Sequence, residues 1–261
     1  MSPSTPPNSP EESFYNTCVI LLTIIALPTY LIGRFLQAPY GRHTRTGWGP
    51  TLPSWRSWFL MESPSVFSTL LIYSLGRNAA SPKPLSLLAV FLLHYLHRTF
   101  IYPLRLRTTA VAPFPVSILL IGFSFNFLNS YVQARWISHY GDYSDDRWFW
   151  WRFGLGAVVF AVGMVMNVTA DAVLVGLKKK GEGYKVPEGG VFEWVSCGNY
   201  LGEMVEWFGW GIMTWSWAGF GFFFYTSAYL LPRARASHKW YLDKFKEDYP
   251  KHRKAVIPFL Y

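Results

Sequence analysis

The sequence predicts an all-α, polytopic integral membrane protein with seven transmembrane helices. Three observations carry this. Only 15% of the 261 residues are charged, against about a quarter in a soluble domain, while 51% are hydrophobic and 19% aromatic. Apolar stretches of the length that spans a bilayer as a helix recur along the chain. The loops between them alternate between basic and base-poor, as the positive-inside rule requires of an odd number of spans ending in the cytosol. The net charge of +9 then reports topology, and no RNA-binding motif points to a nucleic-acid partner.

Residues 1–14, "MSPSTPPNSPEESF", are rich in Pro and Ser and lack Lys or Arg, which predicts a disordered tail rather than a signal peptide. The membrane domain follows, 15–261. Its first span is Tyr15 to Leu36, followed by Arg42 and Arg45. The second, Trp55 to Leu75, contains Glu62 and Pro64 and leads to a loop with only Arg77 and Lys83. The third is Leu85 to Tyr102, before Arg105 and Arg107. The fourth, Pro115 to Gln133, precedes an acidic loop, Ile137 to Arg147, with Asp142, Asp145 and Asp146. The fifth, Trp148 to Leu177, meets "KKKGEGYK", with Lys178, Lys179, Lys180 and Lys185. Val191 to Leu231 fits two spans that break around Gly209 to Gly211, with no charge in the turn. The last segment, 232–261, carries eight Lys/Arg against three Asp/Glu and is assigned to the cytosol. Cys18 and Cys197 are too few and too apolar in setting for a disulfide framework or a metal site.

Ionisable groups within spans are costly and usually face a cavity or a partner. In "GNYLGEMVEWFGWG", Asn199, Glu203 and Glu206 are spaced by four and three and share one helix face. They form a site, or else a solvated helix end. "NVTAD" repeats the pattern with Asn167 and Asp171, and lysines follow. Together these suit a polar ligand bearing phosphates, or again a solvated end. In "HYLHRTFIY", Tyr95, Arg98 and Tyr102 share a face. His94 and His97 suggest a metal pair, but a di-iron site needs several His-rich boxes and the other four histidines are scattered, so no metal is expected. In "WFLMESPS", Glu62 precedes Ser63-Pro64. Neutral, it would donate a hydrogen bond to a carbonyl oxygen; otherwise it caps a helix or sits at the interface. "GLG" at Gly154 to Gly156 follows no strand and reads as close helix packing rather than a dinucleotide fingerprint. No GxSxG is present.

"GGVFEWVSCGNYLGEMVEWFGW" followed by "SHKWYLDKFKEDYPKHRKAVIPFLY" resembles the steroid 5α-reductase family. "APYGRHT", "WFLMESPS", "HYLHRTFIYP" and "GMVMNVTAD" do so too, in family order from about Pro39 to Tyr261. "WFLMESPS" is most similar to plant members that act in brassinosteroid synthesis. The resemblance implies an NADPH-dependent, seven-helix reductase of the endoplasmic reticulum membrane, N-terminus lumenal and C-terminus cytosolic. It would reduce the 4,5 double bond of a 3-oxo-Δ4 steroid, with hydride to C5 and a proton to C4. By resemblance, Glu62 and Tyr95 bind the 3-oxo group, and Asn199, Glu203 and Glu206 belong to the cofactor site. Asn167, Asp171, Tyr184, Arg233, His238 and Tyr241 match cofactor contacts, and Arg42, Tyr102 and Arg107 are added to the same pocket. Lys178 and Lys185 stand where animal members have arginines, so they offer point charges instead of planar forks. Met61 replaces a Gln and Ser237 a His. Competing readings are a membrane enoyl-CoA or polyprenol reductase, an isoprenylcysteine-type methyltransferase and a non-catalytic lipid-binding protein.

Overall fold

The first helix starts inside the segment expected to be a tail. In the computed structural model, which describes residues 9–109, 111–178 and 183–261, α1 runs Pro10–Ile24. Ser9 Oγ accepts from Glu12 N at 3.1 Å, Pro10 occupies the first turn where its missing N–H costs nothing, and Glu11 and Glu12 sit at the positive end of the helix dipole. These acidic residues are therefore start signals, and the tail expectation is corrected for residues 9–14; residues 1–8 lie outside the described residues. After Ile25 the chain continues as α2, Ala26–Gly33.

The helices that follow are α3 (Ser54–Glu62), α4 (Pro64–Ser74), α5 (Pro82–Leu96), α6 (Tyr102–Leu106), α7 (Val116–Arg135), α8 (Phe149–Gly176), α9 (Gly198–Thr214) and α10 (Trp217–Phe245). A π-helical turn, His97–Ile101, joins α5 to α6, and another, Trp136–Tyr140, extends α7 into the loop expected to begin at Ile137. Among the described residues these merge into seven rods, α1–α2, α3–α4, α5–α6, α7, α8, α9 and α10. Four of them, Pro10–Gly33, Pro82–Leu106, Val116–Tyr140 and Phe149–Gly176, are long and apolar enough to cross a membrane. The molecule is a multi-pass helical membrane protein. Its only described sheet is a two-residue pair, β1 (Thr51–Leu52) antiparallel to β2 (Phe114–Pro115).

Two boundaries differ from expectation. The break between α9 and α10 falls at Trp215, in the left-handed region at φ 46°, and Ser216, whose Oγ accepts from Gly219 N at 3.0 Å. Gly209 and Gly211 stay helical because they are packing positions: a Cβ on Gly211 would strike the Phe220 ring at 2.7 Å. Nor does the last helix stop at Leu231. It passes through Pro232, which seats against Gly33 of α2, and continues to Phe245. The C-terminal segment folds back on the start of α9, with Ser196 N donating to Lys254 O at 2.8 Å.

Helices α8 and α9 approach with main chain against main chain. A Cβ on Gly163 would meet Gly202 O at 2.6 Å, and one on Gly202 would meet Gly163 O at 2.8 Å; Gly156 and Gly209 stand in the same relation, each 2.6 Å from the other's oxygen. Small residues let the backbones touch. Gly156 fulfils the packing expected of "GLG", whereas Gly154 faces open space. This seam sets Asn167 and Asp171 against Asn199 and Glu203. Beside it lies the core, including Phe91, Phe160, Trp207, Trp210 and Phe222.

Candidate active site

A continuous cavity of about 780 Å³ runs from the apolar interior to the basic loops. At its inner end is Glu62. Proline cannot donate the next helical hydrogen bond, so α3 ends at Glu62 and α4 restarts at Pro64. Glu62 is 8% exposed, and its Oε2 accepts from Asn126 Nδ2 at 3.1 Å; the same amide nitrogen donates to Met61 O at 2.8 Å. Tyr95, buried among Phe91, His94 and Trp207, lines the same end. The adjoining wall is apolar: Ile118, Ile121, Gly122, Phe125, Phe222 and Tyr225, with Phe125 stacked on Tyr225 at 3.9 Å.

The middle is polar. Arg98 Nη1 pairs with Asp171 Oδ2 at 2.8 Å, and its Nη2 lies 3.7 Å from Glu203 Oε2. Asn199 Nδ2 donates to the other Asp171 oxygen at 2.9 Å. Asn167 supports from behind, donating to Asn199 O at 2.9 Å and reaching Glu203 Oε2 at 3.5 Å. The Arg98 guanidinium lies against both the Trp58 and Tyr102 rings, 4.6 and 4.7 Å from their centroids, and the two rings meet edge-on. It is carried at the start of the π turn, a helix irregularity often found at functional sites.

At the mouth, Arg42, Lys178, Tyr184, Lys185, Arg233 and Tyr241 line the cavity. The Arg42 guanidinium covers the Tyr241 ring at 4.2 Å, and its Nη1 is buried with no partner among the described residues. Arg233 is committed elsewhere: it donates to Tyr200 Oη at 3.1 Å, Ala38 O at 3.1 Å and Tyr40 O at 3.0 Å, fixing the loop after α2. Burial, with Arg233, Arg42 and Arg45 nearby, pushes the His43 pKa down to about 4, so this residue adds no charge at neutral pH. Burial also lowers the Lys178 pKa; Asp171 opposes the shift and Arg42 adds to it.

The cavity thus brings together Glu62, Tyr95, Asp171, Asn199, Glu203, Tyr102 and the six mouth residues. Four expected residues do not line it. Asn167 stands behind. Glu206 is fully buried and holds His94 at 2.7 Å. His238 Nδ1 is 2.5 Å from Ser196 Oγ, in the C-terminal fold-back. Arg107 covers the Trp55 ring at 5.1 Å. Lys179 and Lys180 lie outside the described residues. Arg98 and Asn126 enter the site without having been singled out as site residues. The signal for Asn126 was in the sequence: Asn126, Asn129 and Gln133 recur at helical spacing within an apolar span.

Fold and site define a membrane protein whose helices enclose a cavity that is apolar at one end and cationic at the other. A family model described as 3-oxo-5-alpha-steroid 4-dehydrogenase matches residues 112–261. The chain is 57% identical over 255 residues to steroid 5-alpha-reductase DET2 of Gossypium hirsutum, covering 96% of this chain and 99% of that one. It is 56% identical over 257 residues to the Arabidopsis thaliana protein of that name, covering 96% and 98%. With 3-oxo-5-alpha-steroid 4-dehydrogenase 1 of Bos taurus it shares 40% over 256 residues, again covering 96% and 98%. The chain belongs to the steroid 5α-reductase family.

Proposed function

We propose that the protein reduces the 4,5 double bond of 3-oxo-Δ4 steroids to 5α-steroids with NADPH, in the endoplasmic reticulum membrane. The observation that carries this is the continuity of the cavity: Glu62 and Tyr95 at an apolar end, and Arg42, Lys178 and Lys185 at the other. A flat apolar substrate and an anionic dinucleotide would share it. The names of the relatives support the same reading. The lining suits NADPH in its donor set. Arg42 presents a buried Nη1 with no partner among the described residues and an aromatic stack, and Lys178 lines the same mouth. Arg42, Lys178 and Lys185 would pair its phosphates, and Asn199 and Glu203, backed by Asn167 and Asp171, its sugar and amide groups.

When bound, NADPH supplies the hydride that reaches C5. Electron density then moves onto the 3-oxo oxygen, which becomes enolate-like. Donors aimed at that oxygen stabilise the transition state more than the ground state. Tyr95 donates its phenolic proton. Glu62 donates when protonated or orients Tyr95 when ionised, and Asn126 fixes its second oxygen. The wall of Ile118, Ile121, Phe125 and Phe222 excludes water from the ring system. Topologically, seven crossings with a lumenal N-terminus would set the phosphate end toward the cytosol.

The test is purified protein with NADPH and a panel of Δ4-3-ketosteroids, enoyl-CoAs and polyprenols, followed by product mass and NADPH loss. The expected result is a saturated 3-ketosteroid, two hydrogens heavier, formed with equimolar NADPH consumption. Reduction of an acyl-CoA or polyprenol with the steroids untouched would overturn the assignment.

A further inference from the structure

We infer that His94, held by Glu206, is the acid that delivers the proton to C4. The inference rests on the reductase reading above. That reaction adds a hydride at C5 and a proton at C4. Glu62 and Tyr95 are placed for the 3-oxo oxygen and leave the C4 proton without a donor. C4 is bonded to C3, so the donor must stand beside the residues that grip the oxygen. His94 immediately precedes Tyr95, its ring meets that of Tyr95 edge-on at 4.9 Å, and both line the cavity.

The imidazole is held from one side. Nδ1 lies 2.7 Å from Glu206 Oε1, and the ring packs against Trp207 at 4.6 Å. Among the described residues nothing hydrogen-bonds Nε2, on a side chain that borders the cavity. When one nitrogen is fixed by a carboxylate, the other is left to act. Glu206 lies one turn behind Glu203, fully buried, and its Oε2 has no partner among the described residues. Among the described residues His94 is the one side chain that hydrogen-bonds this carboxylate. The neighbouring charges point the same way. Arg98 already serves two carboxylates, Asp171 and Glu203. Engaged there, it leaves Glu206 to His94, which is its ion-pair partner among the described residues. An imidazolium there makes the pair neutral and carries its transferable hydrogen on Nε2.

The step balances. After hydride addition the substrate is an enolate. Its C3–C4 π pair takes the Nε2 proton, so the C4–H bond forms and the N–H pair stays on the ring. The C3 carbonyl reforms, and water reprotonates Nε2, so one proton is consumed per turnover. By microscopic reversibility, His94 also removes the C4 proton of the product.

The experiment uses the full chain in detergent with two readouts: steroid turnover with NADPH, and deuterium incorporation at C4 of the saturated 3-ketone in D₂O with NADP⁺. His94→Gln is expected to lower kcat about 10²-fold while NADPH still binds, and to lose C4 exchange to the same extent. A solvent deuterium effect on kcat should emerge in this variant, and imidazole should restore turnover to His94→Ala. A His94→Gln enzyme that binds NADPH and matches wild type in both readouts to within about threefold overturns the role. If that variant loses NADPH binding, Glu206→Gln decides, since it keeps the shape: unchanged C4 exchange overturns the role and reduced exchange supports it. A wild-type protein that leaves every steroid unreduced overturns the functional reading, and this role with it.

Discussion

Glu62 owes its place to the residue two positions on. Pro64 ends one helix and starts another, so the carboxyl sits at a junction where Asn126 can reach it. Loss of a donor to a developing oxyanion typically costs about 10²–10³ in kcat. Glu62→Gln and Tyr95→Phe are each expected to lose that much while NADPH binding, read by its fluorescence, stays intact. Because both serve one oxygen, the double variant should lose less than the product of the single effects. Lys178 supplies a pH test. Its pKa in the folded protein lies below the ordinary lysine value, and only its protonated form attracts phosphate. NADPH affinity should therefore fall as pH rises through that lowered pKa, earlier than for an exposed lysine. Lys178→Arg, charged throughout, should flatten the decline in a binding titration from neutral to alkaline pH.

At the scale of elements, the α8–α9 seam makes the sharpest claim. Gly202→Ala puts a methyl group against the Gly163 carbonyl and the Asn167 backbone, both fixed in helices. The helices must part, at a cost of roughly 1–3 kcal/mol by analogy with overpacked cores. That separation draws Asn199 and Glu203 away from Asn167 and Asp171, so NADPH affinity should fall with thermal stability. Gly154→Ala, facing open space on α8, is the control. Helix propensity predicts a neutral change or a gain of up to about 1 kcal/mol, read as an equal or higher Tm. Much of this seam was legible. Polar residues at steps of three and four, with glycines on the same helices, mark a close polar interface. The α9–α10 boundary was not legible, because Gly209 and Gly211 have the composition of a break. Only the packing surfaces opposite them reveal that both are buried inside a continuous helix.

For the whole molecule, loop charges predict a lumenal N-terminus and a cytosolic C-terminus. In sealed microsomes, a protease-sensitive tag at the N-terminus should be protected and one at the C-terminus cleaved. Cleavage of the N-terminal tag from the cytosolic side would reject this orientation. Composition and spacing were enough to anticipate a mostly helical, multi-pass chain, since an apolar helix long enough to span must find lipid or a partner; four helices meet that length and composition. Neither composition nor spacing could show which side of a rod faces the cavity. Arg107 and His238 share motifs with site residues yet point to Trp55 and Ser196, because such motifs record neighbours in sequence and not rotation about the helix axis. Arg98 was visible as one of three residues on a face. Its part as the shared cation of Asp171 and Glu203 needed two further helices in position.

Backbone contact along α8 and α9 also bears on how the protein fails. Where side chains separate two helices, the gap can relax gradually as rotamers loosen. Where glycines bring main chain to main chain, the pair has few intermediate spacings, and the polar groups mounted on both sides lose register in one event. On slow heating, NADPH binding should therefore persist until the helices separate and vanish together with them. Calorimetry and a binding assay run on one sample should give the same midpoint, and amides of 163–171 and 199–206 should be among the last to exchange with deuterated solvent.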